Sequence, residues 1–401
     1  MRIFLFFLII VLFSTGCKER FNYAENDNVF DLTSLDKKSE YVTLADIADS
    51  VSYIQLEETN DPRSALDVKN SLKIIAFDHA IFAYSFGSII KVFSGNGKYL
   101  KSIGSIGSGP GEFVRIDQLS SNSEADGVWV LDRYRHRLTE IGIDGFVRNS
   151  FAVSNSCVRF AVSQESEIYL LCQERLRENL ENSYVEVINK QGDSIKRFPL
   201  YQNRSYGVGQ ISAKKQNFYL DQGKLYHSDQ PFDTLYSFTR DSIWKPTYIL
   251  DLGPTKIKVE DMSDPRKLFP LENKFPYINN LFDFPLQIFA TTRNRDAFTC
   301  FILDKKTKSC QIASRHVKEQ QYLKYRSGLK NDIDGGLPFW PMNHKNITVL
   351  YRFFDPFYFN EYFSQHVKDK TPVEKGSELD RFLKNYKLYG NPIIMFVKLK
   401  Q

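Results

Sequence analysis

Apolar and polar residues alternate with a period of two through most of the chain, as expected where a strand buries one of its faces. The first clear case is "ADSVSYIQLEE" at 48–58, where Val51, Tyr53, Ile54 and Leu56 mark a strand. After it a unit of strand, corner, strand, tight turn and strand recurs in degraded form. The copies are "IFAYSFGSIIKVFSGNGKYLKSIG", "GVWVLDRYRHRLTEIGIDGFVRNSF", "EIYLLCQERLRENLENSYVEVINKQGDSIKRFPL", "KLYHSDQPFDTLYSFTRDSIWKPTYIL" and "LQIFATTRNRDAFTCFILDKKTKSCQIAS". Three of them turn on Gly95-Asn96-Gly97, Asp144-Gly145 and Gln191-Gly192-Asp193, residues suited to the positive φ of a tight hairpin.

Small antiparallel sheets repeated at this spacing predict an all-β propeller, in which each blade buries its faces against its neighbours. Five units plus one blade shared between the chain ends give six. The closing strand is "NPIIMFVKLK" at 391–400, expected to pair with strands of the N-terminal segment and so hide a sheet edge. A β-sandwich or a two-domain body is the competing reading of the same alternation. The last third breaks the unit with one or two short helices inserted into the last blade. One begins at Asp355-Pro356, a cap followed by proline; the other has Ser377 as its cap and Leu379, Phe382 and Leu383 on one face.

The start of the chain has a different pattern. "MRIFLFFLIIVLFSTGC" carries an uncharged run from Ile3 to Phe13, then small residues and Cys17. The run is too short for an ordinary membrane-spanning helix, which needs about 20 apolar residues, and it has the layout of a secretory signal over 1–16. Small residues directly before a cysteine resemble a bacterial lipobox, which makes Cys17 the expected lipidation site and the lipid the expected contact with membrane. Ser14 stands where that pattern prefers leucine. Residues 17–40 are polar and weakly patterned, as suits a lipidated tether, and 41–401 form the expected propeller body.

In an exported chain the other cysteines gain meaning. Cys157 and Cys172 bracket one candidate hairpin and Cys300 and Cys310 another, so each pair is a candidate disulfide; four buried free thiols are the alternative. Charge adds little. The 53 basic and 48 acidic residues are interleaved without a concentrated basic stripe, so a nucleic-acid partner is not expected.

Several segments resemble the six-bladed, NHL-repeat-like β-propeller lipoproteins of Bacteroidetes: "VSYIQLEE", "IKVFSGNGKYLKSIGSIGSGPGEF", "FDTLYSF", "NDIDGGLPFWP" and "NPIIMFVKL", in that order over roughly 40–400. The resemblance implies an exported, lipid-anchored propeller in the outer membrane, facing either the periplasm or the cell surface. It implies no agreed activity. Acidic residues just after the lipidated cysteine resemble a surface-export signal in such lipoproteins; here Cys17 is followed by Lys18, Glu19 and then Arg20, which interrupts the acidic run.

Local motifs for chemistry are sparse. The glycines at 104, 107, 109 and 111 end in Gly111-Glu112-Phe113, without the Lys-Ser/Thr of a phosphate loop and without a following helix, so they read as a chain-reversing loop. The six histidines show no paired spacing, no Cys-x-x-Cys is present, and neither a metal nor a cofactor is expected. No Gly-x-Ser-x-Gly elbow occurs. Asp132, Asp229, Asp283 and Asp304 adjoin predicted strands and read first as turn residues. Aromatics gather in the irregular region, including Trp340, Tyr351, Phe354, Phe357, Tyr358 and Tyr362. They could pack the inserted helices or form a platform for a ligand.

Together these features predict a binding or scaffolding module for a glycan, peptide or envelope protein at the channel mouth. The expected ligand residues are Arg133, Arg135 and His136 from a polar corner, with Trp340, Tyr351 and Tyr358 from the last blade. An envelope lyase or hydrolase acting on glycans or peptides is the alternative of a different class.

Overall fold

The computed structural model describes residues 28–33, 41–67, 72–85, 89–109, 111–122, 126–175, 181–200, 216–221, 223–229, 233–238, 244–255, 270, 276–293, 297–317, 327–346, 348–364 and 372–400. Within them the predicted alternation becomes six blade sheets, each numbered here from its innermost strand, beside a two-stranded parallel ladder of Ser105–Ile106 and Glu112–Phe113. The first blade is Lys73–Ala76, Ala80–Tyr84, Ile90–Ser94 and Tyr99–Ile103. The second is Gln118–Ser121, Gly127–Asp132, Arg137–Gly142 and Val147–Ala152, and the third Cys157–Val162, Ile168–Arg175, Glu181–Ile188 and Ser194–Pro199. The fourth comprises Gln216–Asp221, Lys224–Asp229, Thr234–Phe238 and Trp244–Asp251; the fifth Tyr277–Asp283, Gln287–Arg293, Ala297–Asp304 and Cys310–Val317. The sixth takes Asn343–Asn346, Val349–Phe354 and Ile393–Leu399 from the C-terminal part and Ala48–Gln55 from the N-terminal part.

Closure of the ring is visible in the core. Six apolar clusters each join one blade to the next, including Leu72, Ile74, Tyr351 and Ile394 between the first and sixth. The expected closing pair forms: Ala48–Gln55 lies antiparallel to Ile393–Leu399. The architecture is therefore a six-bladed β-propeller, and the sandwich and two-domain alternatives fall.

Tight turns arise where the sequence placed them. In the first blade Gly97 adopts φ 87°, and its amide donates to the Ser94 carbonyl at 2.8 Å. Helices α1 (Leu44–Ile47), α2 (Pro356–Ser364) and α3 (Glu378–Asn385) are short. Asp355 caps α2 by accepting from Phe357 N, and the Ser377 hydroxyl caps α3 by accepting from Asp380 N. Phe359 of α2 and Leu379 of α3 are fully buried and share one core cluster with Tyr53. The inserted helices thus pack on the seam of the ring. No helix among the described residues is long and apolar enough to cross a membrane.

The segment 17–40, expected as tether, holds an element of its own. Val29–Asp31 forms a parallel fifth strand on the outer edge of the fourth blade, with Phe30 fully buried between the fourth and fifth blades. A three-residue strand with one anchoring phenylalanine is too short to register as alternation. Cys17 and the signal-like stretch lie outside the described residues.

Candidate functional site

Strands alternate in direction within a blade, so residues entering an inner strand and residues leaving the second strand share one end of the channel. That end collects a cluster of charge from the first three blades. Lys73 opens the inner strand of the first blade and stands opposite Tyr84, which ends the second strand. Its ammonium lies 6.0 Å from the Tyr84 ring centroid and donates to the Asp117 carbonyl at 3.4 Å. Arg115 and Asp117 lead into the second blade and pair at 2.5 Å. The other Asp117 oxygen accepts from Arg133 N at 3.0 Å. Arg133 Nε reaches the third blade, donating to the Cys157 carbonyl at 3.1 Å. Two residues further along that strand is Arg159.

Burial pulls the Arg159 guanidinium below its ordinary range, opposed by the neighbouring Tyr84 hydroxyl and the Asp117 carboxylate. Burial likewise pushes the Tyr84 hydroxyl up, so it stays neutral. The Arg115 guanidinium is raised, chiefly by its hydrogen bond to Asp117. Four basic side chains therefore gather at this end: Arg115 pairs with the Asp117 carboxylate, Lys73 donates to the Asp117 carbonyl, Arg133 donates to the Cys157 carbonyl, and Arg159 lies within electrostatic reach of Asp117, in a partly desolvated setting where charge is felt more strongly than in water. Below them Gln118 ties the blades together: its amide donates to the Phe160 carbonyl at 2.8 Å and its oxygen accepts from Phe160 N at 3.0 Å. The inner edge of the third blade is thereby satisfied by a side chain rather than by a neighbouring strand.

The corner at 132–136 divides into different roles. Asp132 is buried and accepts from the amides of Val114, Arg115 and Arg135, which makes it a turn organiser. Arg135 turns back to the glycine loop, donating to the carbonyls of Ser108 at 2.5 Å, Gly109 at 3.4 Å and Glu112 at 3.3 Å. Within that loop Gly109 N donates to Glu112 Oε2 at 2.6 Å, so its own carboxylate takes an amide that a bound phosphate would need. The stretch is a braced crossover between the first and second blades, as its sequence predicts. His136 is exposed, with φ 50°, and its carbonyl accepts from Val153 N. Of the three corner residues, Arg133 alone joins the charge cluster.

The expected aromatic contributors part from it. Tyr351 is a correction: it lies in the second strand of the sixth blade, 1% exposed, with its hydroxyl donating to the Ile74 carbonyl at 2.7 Å. It fastens the ring seam and is closed to a ligand. Trp340 is also buried, edge-on to Phe289 with centroids 5.3 Å apart. Tyr358 is half-buried on α2 beside the exposed Phe357. These residues belong to the sixth blade, which adjoins the first and fifth, so they do not meet Arg133 of the second. Packing accounts for Trp340 and Tyr351.

The carboxylates also serve the scaffold. Asp283 pairs with Lys305 at 2.6 Å and accepts from Tyr219 Oη, joining the fourth and fifth blades at the opposite end of the channel from Asp132. Asp304 organises its turn by accepting from the amides of Lys306 and Thr307, and the Asp229 side chain lies outside the described residues. Among the described residues no group of three or more His, Cys, Asp or Glu is placed to hold a metal ion.

The cysteine pairs separate cleanly. Cys157 and Cys172 stand opposite each other in neighbouring strands, both as buried free thiols. Cys300 and Cys310 are a correction. Cys300 pairs with Ser314 and Cys310 with Leu303, an offset of about 10 Å along the strand, beyond the roughly 7 Å Cα limit for a disulfide. They also face different cores, Cys300 toward the sixth blade and Cys310 toward the fourth. Burial pushes both thiols up to about 12.

Lys73, Arg115, Asp117 and Arg159 were missed from the sequence, although Asp117 and Asp132 enclose the strand that carries Trp129. The signal is weak, because each blade delivers one or two of these charges from a segment of irregular pattern.

A family model for a domain of unknown function, DUF4934, matches residues 27–398. The chain belongs to the DUF4934 family. Among solved structures, a protein from Bacteroides fragilis described as exported is similar over 93% of this chain and 99% of its own, with TM-score 0.68 and 14% identity. At that identity the likeness shows the fold. Looser likenesses include a DUF4221 family member from Bacteroides vulgatus, with TM-score 0.46, 12% identity and coverage of 88% and 97% of the two chains. Another is a virginiamycin B lyase from Staphylococcus aureus, with TM-score 0.36, 9% identity and coverage of 68% and 89%. Neither carries an argument about this family. No curated protein matches the chain.

Proposed function

We propose that this DUF4934 protein is an outer-membrane lipoprotein, anchored through Cys17, whose propeller binds a carboxylate-bearing ligand at the channel mouth over the first three blades. The observation that carries the reading is the gathering of Lys73, Arg115, Arg133 and Arg159 at one end of the channel, where the Asp117 carboxylate pairs with Arg115. Guanidinium groups match carboxylates in shape and can offer paired donors, and a partly desolvated site strengthens that match. Export is supported by the signal-like 1–16 and the small residues before Cys17, in keeping with the exported description of the Bacteroides fragilis protein. Acidic glycans and acidic peptide segments share the required chemistry. A binding screen of the full chain against uronate oligosaccharides, acidic peptides and their neutral counterparts tests this. Binding confined to acidic members, weakening with salt, is expected; preference for neutral ligands overturns it.

A further inference from the structure

The first hairpin of the third blade carries an oxidisable pair. Cys157 and Cys172 are direct partners in the antiparallel register, and Gln173 N donates to the Ser156 carbonyl at 2.9 Å beside them. That bond falls one residue outside the pair, which makes Cys157 and Cys172 a non-hydrogen-bonded pair, the closer of the two antiparallel spacings at about 4.5 Å between Cα atoms. This spacing lies within the range a disulfide spans. Both side chains enter the same apolar cluster with Trp129, Leu138 and Phe160. A bulge follows Cys157, and its extra residue returns Phe160 to the face that Cys157 occupies. The neighbouring thiols shift one another in opposite directions, Cys157 up and Cys172 down, and the Cys157 thiol donates to the Arg159 carbonyl at 3.5 Å.

We infer that Cys157 and Cys172 are an oxidative modification site, joined by a disulfide that closes the inner hairpin of the third blade during folding in an oxidising compartment. The oxidant is a disulfide of a thiol oxidoreductase or of oxidised glutathione. One cysteine thiolate attacks it, breaking its S–S bond, releasing one thiolate and leaving a mixed disulfide. The second cysteine then attacks the first, forming the Cys157–Cys172 bond and releasing the remaining thiolate. Two cysteine thiols are oxidised, one disulfide is reduced to two thiols, and the two protons pass to the leaving thiolates. The folded pair is 2% and 0% exposed, so the exchange takes place before the second and third blades close over it. The bond pins the bulge between Arg133's acceptor, the Cys157 carbonyl, and Arg159.

The test refolds the reduced full chain in a glutathione redox buffer, denatures it in alkylating agent without reductant, and maps the peptides by mass spectrometry. The expected result is a linked pair of peptides containing Cys157 and Cys172, with Cys300 and Cys310 alkylated. In the refolded chain, reductant lowers Tm by about 3 to 6 °C, and it has no effect on a Cys157→Ala, Cys172→Ala double variant. A cooperatively folded chain in which Cys157 and Cys172 are alkylated as fully as Cys300 overturns the inference. So does a linkage to Cys300 or Cys310. Neither readout depends on a ligand.

Discussion

Tyr53 of the N-terminal strand stands opposite Met395 of the last strand, and its hydroxyl donates to Asp334 Oδ1 at 3.2 Å. One residue therefore joins three parts of the chain: the first strand of the body, the closing strand and the loop between the fifth and sixth blades. Phe359 and Phe382 pack on the same ring, with centroids 6.0 and 5.6 Å from it. The seam of the propeller is a buried joint as well as a pair of strand edges.

Removing residues 391–401 should therefore abolish cooperative folding. Ile393, Ile394, Met395 and Val397 are fully buried, and each such side chain contributes about 1.5–3 kcal/mol, which together is comparable with the whole net stability of a domain. Thermal unfolding followed by circular dichroism checks this; a sharp transition in the truncated chain would contradict it.

The same joint sets a pH dependence. Burial raises the Asp334 carboxyl above its ordinary value, outweighing its hydrogen bonds from Gly336 N, Tyr53 and Asn331. The folded state then holds its proton to higher pH than the unfolded state. Its contribution to stability is complete below about pH 4 and is lost as pH rises through the folded value. Asp334→Asn should flatten that part of the stability profile above about pH 4 and leave the protein no less stable at neutral pH. Denaturant titrations across that range decide it, and an unchanged slope would rule it out.

Gly328 has φ 123°, and a Cβ there would lie 2.2 Å from the Phe339 carbonyl oxygen. Backbone offers no flexible end to move aside, so Gly328→Ala should cost about 3 kcal/mol through strain and displaced packing. A denaturation midpoint equal to wild type would show that the loop relaxes freely.

Arg135 and Arg133 sit two residues apart yet should behave differently. Arg135→Ala releases the carbonyls of Ser108, Gly109 and Glu112 and should cost about 1–2 kcal/mol while speeding proteolysis between 107 and 113. It should leave ligand binding within about twofold, whereas Arg133→Ala should weaken binding by about tenfold. Equal effects of both variants on binding would dissolve the distinction.

The fold was readable where chemistry is local. Asn96-Gly97 and Asp144-Gly145 specify hairpins, Asp355-Pro356 and Ser377 start helices, and Ile393–Leu399 is apolar enough to identify the closing strand. Inner strands were harder: Asn343–Asn346 carries no apolar residue, so no periodicity marks it. Register is what separated Cys157–Cys172 from Cys300–Cys310, since both bracket plausible hairpins but only the first pair is in step. Tyr351 and Trp340 misled because a large aromatic ring with a polar tip suits a ligand platform and a buried core position equally well. The charge cluster was illegible for a different reason: Lys73, Arg115 and Arg159 come together through ring geometry, which no single segment encodes.

The central claim is a carboxylate-binding channel mouth. Calorimetric titration of the full chain with the best acidic ligand, beside Arg159→Gln, tests it most directly. The account predicts that the variant binds at least about tenfold more weakly, with a shallower dependence on salt. Unchanged affinity and salt dependence in Arg159→Gln would contradict it.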